Sequence, residues 1–509
     1  MTARPRAVFL GIDVGTSGCK TVALSERGGV LASATRSYPT RYGADGEATQ
    51  DAEDWLRAVR LTVRDCLEAL GSTRVEAIGV TAPAHYAVLV GRDGRPLTRV
   101  LLASDGRPEA TVAELRARIG DRFAEITLER LTGSWTFPQL VWLRRTVPGL
   151  WRRLRLVLVS KDYVRYRLTG DAATDPTDAA GTGLYDQRAR VWSAPLLEEA
   201  SLDIDRLPPI RGSLETGGVL GREWARHLGI PAGTPVTTGA TDTASELVSV
   251  AALSPGDGIV KVASTATVVA VTASPRPHPA LLTYPHAIPG RWYTLAATSS
   301  AATSLTWAHA LMAGRGPADG AEYAGMAREA ARVPPGSGGV IFLPFLLGER
   351  TPYWDRELRG AFVGLAASHG RAEAFRAVME GVAFSLRSCR DLMAANGMHV
   401  PSPFLHGGGT AIRLWREIVL ATLDVTGRLA EPHGPAVGAA LLAAAGGSSG
   451  SLSRVHPRVR EVRAPAGWAA AYDQAYPRYL AAAAALAETG REAARSARRD
   501  APGALDIPV

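Results

Sequence analysis

The first apolar burst of the chain, residues 7–13 (AVFLGID), is short and rich in branched side chains, which predicts a strand. Residues 20–24 (KTVAL) predict a second strand, 25–29 (SERGG) a turn and 30–34 (VLASA) a third strand. The chain therefore opens as a β-meander with a glycine cluster, GIDVGTSGCK, in its first turn. The period then changes: Trp55, Ala58, Val59, Thr62, Val63, Cys66, Leu67 and Leu70 fall at helical spacing, with Asp51 placed to cap the helix. Residues 75–81 (VEAIGVT) return as a buried strand. Strand and helix signals alternate to about residue 250, which makes the class α/β.

Near residue 256 the pattern restarts. Residues 256–274 (GDGIVKVASTATVVAVTAS) again predict strand, small-residue turn and strand. Residues 293–298 (YTLAAT) predict a strand and 299–312 a helix. A long helix follows from 371 to 395, then a strand ending in FLHGGG and a helix around AIRLWREIVLATL. Two halves that each open with a phosphate-sized β-turn predict an internal duplication. The expected division is 1–252, 253–450 and a tail, 451–509, comprising a helix and a frayed end.

Bulk composition narrows the classes. A chain of 509 residues is too long for one ordinary core, and 46% hydrophobic with 21% charged content is that of a globular protein. No apolar run suggests a signal peptide or a membrane span; VGAALLAAAGG reads as a buried helix. Three cysteines, far apart, argue against a disulfide framework or zinc site and for a cytoplasmic protein. The net charge of +8 comes almost entirely from arginine, since the only lysines are Lys20, Lys161 and Lys261. The arginines are scattered, without a basic arm, so neither nucleic acid nor a membrane is an expected partner.

Gly11–Lys20 fails the Walker pattern, because Cys19 separates Gly18 from Lys20 and a strand follows where a helix is required. What remains is a hairpin turn whose backbone N–H groups at Gly15, Thr16 and Ser17, with the two hydroxyls, can hold phosphate oxygens. Asp13 ends the preceding strand and is a candidate Mg²⁺ ligand. Ser264 and Thr265 in ASTAT offer a second turn, and the pair makes a two-sided clamp. Asp242 stands just past a strand end: taken alone it reads as a helix N-cap, and in a kinase it would accept the proton of a substrate hydroxyl. Gly407, Gly408 and Gly409 end a strand where a flat ring could approach the backbone. His85, Asp105 and Arg107 are suited to hydroxyl recognition, although a lone histidine is more often structural and Asp-Gly is a common turn.

With these residues in place, the chain resembles the FGGY family of carbohydrate kinases, on its xylulose kinase-like branch. The likeness runs from about residue 8 to 480, through GIDVGTSGCK, QDAEDW, SKDYVRYRLTGDAATDPTDAAGTGLYD, FLPFLLGERTPYWDRELRGAFVGL, VMEGVAFSLRSC, HGGGTAIRLWREI and GPAVGAALLAA. It implies an actin-like fold of two duplicated RNase H-like domains with an ATP cleft between them, ATP and Mg²⁺ as cofactors, and a sugar or polyol substrate. Dimers are frequent in that family, so a homodimer is possible, and the oligomeric state stays open. By resemblance Asp242 is the catalytic base and Asp13 the aspartate near the metal and the reacting hydroxyl. Thr16 and Thr265 are the phosphate-turn threonines, Gly408 and Gly409 shape an adenosine pocket, and His85 and Arg107 contact sugar. The chain departs from the family pattern at APAHY, where only His85 survives, and at Ser104, Thr243, Ser264 and Ala266. A ketopentose such as xylulose is the expected substrate; other ketoses, alditols and cyclitols stay open, as does a non-catalytic sugar- or nucleotide-binding role. Lys20 reads as a strand residue beside the clamp, its reach to phosphate open.

Overall fold

The computed structural model describes residues 6–313, 320–448, 452 and 457–500. The expected meander is there: β1 (Arg6–Val14), β2 (Gly18–Ser25) and β3 (Val30–Ser37). Helix α1 (Ala52–Leu70) follows, with Asp51 as its N-cap accepting from Glu53 N at 2.9 Å. Its apolar stripe, including Trp55, Val59 and Val63, is buried. Strand β4 (Thr73–Ala82) then pairs parallel with β1. Helices α2 (Ser160–Thr169) and α3 (Pro176–Gly181) precede strands β5 (Thr216–Val219), β6 (Pro235–Thr237) and β7 (Ala240–Thr241). The strand order is β5-β6-β4-β1-β2-β3, with β7 also pairing β4. Helix α4 (Asp242–Ser249) starts where β7 stops.

The restart near 256 is equally plain. Strands β8 (Gly258–Val262) and β9 (Ala266–Thr272) form an antiparallel hairpin. Strand β10 (Trp292–Ala297), helix α5 (Ala302–Ala313), the long helix α6 (Arg371–Ala395) and strand β11 (Phe404–His406) follow, and β11 pairs parallel with β8. The stretch expected as one helix after FLHGGG is two, because Ile412 is extended between a four-residue turn and helix α7 (Arg413–Leu423). Both hairpins thus share one plan: a first strand antiparallel to the next and parallel to a later one. Strand β12 (Gly427–Glu431), helix α8 (Pro435–Ala445) and a tail helix, α9 (Trp468–Asp500), complete the described chain. The frayed end expected from the composition falls partly on residues 501–509, outside the described residues. Among the described residues no helix is long and apolar enough to cross a membrane, and Cys19, Cys66 and Cys389 are buried free thiols.

The chain divides into two compact units. The first comprises residues 1–255, 271–294 and 430–458, and the second residues 256–270, 295–429 and 459–509. The units therefore differ from sequential halves: α8 belongs to the first one. Glycine is the reason. Gly11 and Gly79 lie side by side in the β1/β4 register. A Cβ at Gly11 would sit 1.8 Å from Ala436 O, and one at Gly79 would sit 1.9 Å from Ala439 O. From the other side, a Cβ at Gly438 would lie 1.8 Å from Ser245 O of α4. Three bare backbones thus let an apolar helix press onto the strands that carry Asp13 and Thr81 near their ends, and onto the helix that begins with Asp242. Its side chains are buried nearly throughout, as the VGAALLAAAGG run predicts.

Candidate active site

Strand register brings the two candidate aspartates of the first unit to one edge. Asp13 pairs with Thr81 in parallel register, and Ala240 pairs with the same Thr81 from the other side. The Thr81 hydroxyl donates to Ala240 O at 2.7 Å. Asp13 and Ala240 are therefore two strand spacings apart, about 10 Å, with Asp242 two residues further on. In open α/β sheets the carboxyl ends of parallel strands are where ligands bind. Asp242 is the first residue of α4, and Thr241, whose side chain makes no cap bond, holds the N-cap position; the helix-cap reading of Asp242 is thus set aside. The Asp242 carboxylate accepts instead from Thr243 N at 2.6 Å and from the Thr243 hydroxyl at 3.3 Å.

The Val14–Gly18 turn is closed by Gly15 N donating to Gly18 O at 3.0 Å. Thr16 and Ser17 are exposed at its tip. Three side chains that the sequence did not single out hold it. Gln50, buried, donates to Thr16 O at 2.7 Å and to the Thr40 hydroxyl at 2.8 Å, while its own amide oxygen accepts from Trp55 Nε1 at 2.9 Å. The Tyr38 hydroxyl donates to Gly15 O. Tyr86 OH lies 3.5 Å from Thr16 Oγ1. Burial raises the Tyr86 phenol, the Thr16 contact opposes this, and the Asp242 charge raises it further. Turn, phenol and Asp242 thus share one neighbourhood. QDAEDW carried the only sequence signal for Gln50. Lys20 sits directly across from Asp13 in the β1/β2 ladder and is exposed, as a strand residue.

The three substrate candidates are also placed. His85 has a left-handed backbone, φ 81°, rare for a non-glycine residue. Its Nδ1 lies 2.7 Å from Gly181 O, and its ring meets Trp135 edge-on at 4.7 Å. A carbonyl can only accept, so Nδ1 carries the proton and Nε2 is left as an acceptor for a hydroxyl. Burial pushes this imidazole down to about 4, with the Gly181 bond opposing. The ring is therefore neutral in the folded protein at pH values where the unfolded chain, titrating near 6.5, is already charged. Its stabilising contribution is complete above pH 6.5 and is lost as pH falls toward 4. The difference in unfolding free energy between wild type and His85→Gln is expected to shrink across that window, by no more than about 3 kcal/mol. Urea titrations at pH 7.5, 5.5 and 4.5 measure it.

Asp105 does not present a bare carboxylate. Its oxygens accept from Ala48 N at 3.0 Å, Arg107 N at 3.1 Å, Arg107 Nε at 2.9 Å and Arg107 Nη2 at 2.6 Å. It is buried and holds Arg107 in a two-toothed grip, with the guanidinium 5.0 Å over Trp142. Nη1 remains for a further acceptor.

In the second unit, Ser264 is exposed and Thr265 half-buried in the β8–β9 turn. The turn is seated on the start of α5: Ala301 N donates to Ser264 O at 2.8 Å, Ala302 N to Ala263 O at 2.8 Å, and the Thr303 hydroxyl to Ser264 O at 2.9 Å. The segment feeding α5 is held by Glu349, another residue missed from sequence, which accepts from Ser299 N at 2.5 Å, Arg350 N at 2.7 Å and Ser385 Oγ at 3.2 Å. Burial pushes its carboxyl up to about 7 despite those donors. The three glycines divide by role. Cβ atoms at Gly407 and Gly409 would lie 2.3 Å from Val262 O and 2.4 Å from Val262 Cγ1, so both permit close packing on β8. A Cβ at Gly408 would meet nothing within 4 Å. Gly408 and Gly409 line a cavity of about 1040 Å³ whose other walls include Ala263, Ser264, Leu305, Tyr323 and Trp415.

The FGGY family of carbohydrate kinases matches over most of the chain, its N-terminal domain at residues 8–249 and its C-terminal domain at 260–447. The xylulose kinase of Escherichia coli is 33% identical over 443 residues, covering 86% of this chain and 89% of that one. The xylulose kinase of Bacillus subtilis is 29% identical over 445 residues, with 86% and 88% covered. The crystal structure of the Rhodospirillum rubrum xylulose kinase superposes with a TM-score of 0.87 at 28% identity, over 95% of this chain and 100% of that one. Two aspartates at strand ends that flank one parallel strand, two phosphate-sized turns on a repeated hairpin plan, and these likenesses in sequence and fold lead to one conclusion: the chain belongs to the FGGY family of carbohydrate kinases.

Proposed function

We propose that the protein transfers the γ-phosphoryl group of ATP to a hydroxyl of a ketose, with xylulose as its substrate. The observation that carries this reading is the presentation of Asp242, at the start of α4, two strands away from Asp13 and beside the exposed Thr16–Ser17 turn. Asp242 orients the acceptor hydroxyl and takes its proton as the new O–P bond forms. Backbone N–H groups and hydroxyls of Gly15, Thr16 and Ser17 neutralise phosphate oxygens; in the second unit, Ser264 and Thr265 offer donors of the same kind. The adenosine lies in the cavity walled by Gly408 and Gly409. His85, neutral with Nε2 free to accept, and Arg107, fixed by Asp105, bind substrate hydroxyls.

The donor set fits Mg²⁺. Among the described residues there is no cluster of three or more His, Cys, Asp and Glu able to hold a metal. Mg²⁺ characteristically takes one or two carboxylates and completes its shell with phosphate oxygens and water. Asp13 would hold it, and the ion would supply charge neutralisation at the phosphates.

An ADP-release assay over ketoses, alditols and cyclitols tests the assignment. Fastest turnover on xylulose is expected; ADP release with none of them would reject the kinase reading. The nucleotide pocket makes its own prediction. Gly408→Ala is expected to fold with unchanged thermal stability, to raise KM for ATP by about tenfold through the methyl intruding on the pocket, and to leave the sugar KM alone.

A further inference from the structure

Beneath Asp242 lies a charge cluster that the proposed mechanism does not use. Lys161 of α2 is fully buried. Its ammonium lies 2.6 Å from Asp162 Oδ1, 3.3 Å from Asp175 Oδ1 and 3.2 Å from Asp178 Oδ2, and it donates to Thr238 O at 2.8 Å. Buried charges of this kind contribute little net stability, because desolvation offsets their attraction. Their geometry is more informative. Asp175 caps α3 through Thr177 N and Asp178 N, and also accepts from Ser213 Oγ at 2.7 Å. Ser213 O in turn accepts from Gly239 N at 3.1 Å. The Thr177 hydroxyl accepts from Thr241 N, the residue before Asp242, at 2.9 Å. At its other end α3 offers Gly181 O to His85 Nδ1. Gly239 is pressed onto the cluster, since a Cβ there would lie 2.3 Å from Val80 O and 3.2 Å from Lys161 Cδ.

We infer that Lys161 and α3 form a positioning scaffold that sets Asp242 and His85 together, so that one buried ammonium fixes both the proton acceptor and a substrate contact. The inference rests on the roles given above to Asp242 and His85. Every backbone polar group of residues 238–241 named here is tied either to the ammonium or to an element the ammonium organises. Burial alone would lower the Lys161 ammonium, but the three carboxylates hold it above its ordinary value. Burial pushes the Asp178 carboxyl well up, against the pull of Lys161. Arg165, buried on the same helix and in the field of Asp162 and Asp175, supplies a second cation.

Three variants separate positioning from bulk stability. Thr177→Val keeps the shape of the side chain and removes only the acceptor for Thr241 N. It is expected to lower kcat by about 10–100-fold, as a small misplacement of a reacting group does, with KM for ATP and xylulose within about twofold of wild type. Thr177→Ser is expected to restore kcat. Lys161→Met, where it folds, is expected to lower kcat and also raise KM for xylulose about tenfold, because it reaches His85 through α3. Wild-type kcat in Thr177→Val would overturn the scaffold even if Asp242→Asn were inactive. Full turnover in Asp242→Asn would overturn the base assignment on which the scaffold rests.

Discussion

Asp242→Asn is expected to lower kcat by about 10²–10⁴-fold while leaving KM for ATP within a few-fold of wild type. The amide is nearly isosteric and can still meet Thr243 N, which donates to the carboxylate at 2.6 Å. Helix α4 should therefore start at the same place. What the amide lacks is the ability to accept and keep a proton. The transition state of phosphoryl transfer is loose, so much of the catalytic effect lies in orientation, and a residual rate well above background is expected. A steady-state assay with saturating ATP and xylulose reads the effect. A variant within threefold of wild type would remove Asp242 from the mechanism.

Gly79→Ala is expected to cost about 4 kcal/mol of stability, far more than one methyl group normally does. The added Cβ would sit 1.9 Å from Ala439 O, and the obstacle is backbone, which cannot swing aside as a side chain can. Helix α8 would have to lift from β1 and β4. The damage should extend to function, because Gly11 and Gly79 lie two residues before Asp13 and Thr81 on their strands. Urea unfolding of the purified variant measures the loss, and a change below 1 kcal/mol would show that α8 docks otherwise. At Gly408, where a Cβ meets nothing, the same Gly→Ala change is expected to spare stability. The contrast isolates close approach from glycine content.

Much of the architecture could be read from local pattern. The meander, α1 with its Asp51 cap, the restart at β8 and the span of α6 each follow from periodicity or turn chemistry within a short window. The candidate aspartates were visible because each stands at a strand end. What escaped depends on partners far away in the chain. The apolar run 437–445 announces a buried helix, but nothing local says that it returns to strands more than 350 residues earlier; the message is split among Gly11, Gly79 and Gly438. Gln50 and Tyr38 support the first turn only after the chain has folded back, so their spacing carries no hydrogen-bond signal. Asp105 and Arg107 each read as suited to hydroxyl recognition, but in the fold they engage each other. Of the three glycines after FLH, only the structure distinguishes Gly408, where a Cβ would meet nothing, from two whose Cβ would strike Val262. Lys161 stood out as one of three lysines in an arginine-rich chain, but its meaning lies in three carboxylates and a carbonyl gathered from separate segments.

The most direct measurement is the fate of the γ-phosphoryl group. With γ-labelled ATP, Mg²⁺ and xylulose, label is expected in a sugar phosphate, one per ADP formed, and to appear about 10²–10⁴-fold more slowly with Asp242→Asn. Label appearing only as inorganic phosphate, at a rate indifferent to xylulose, would contradict the account.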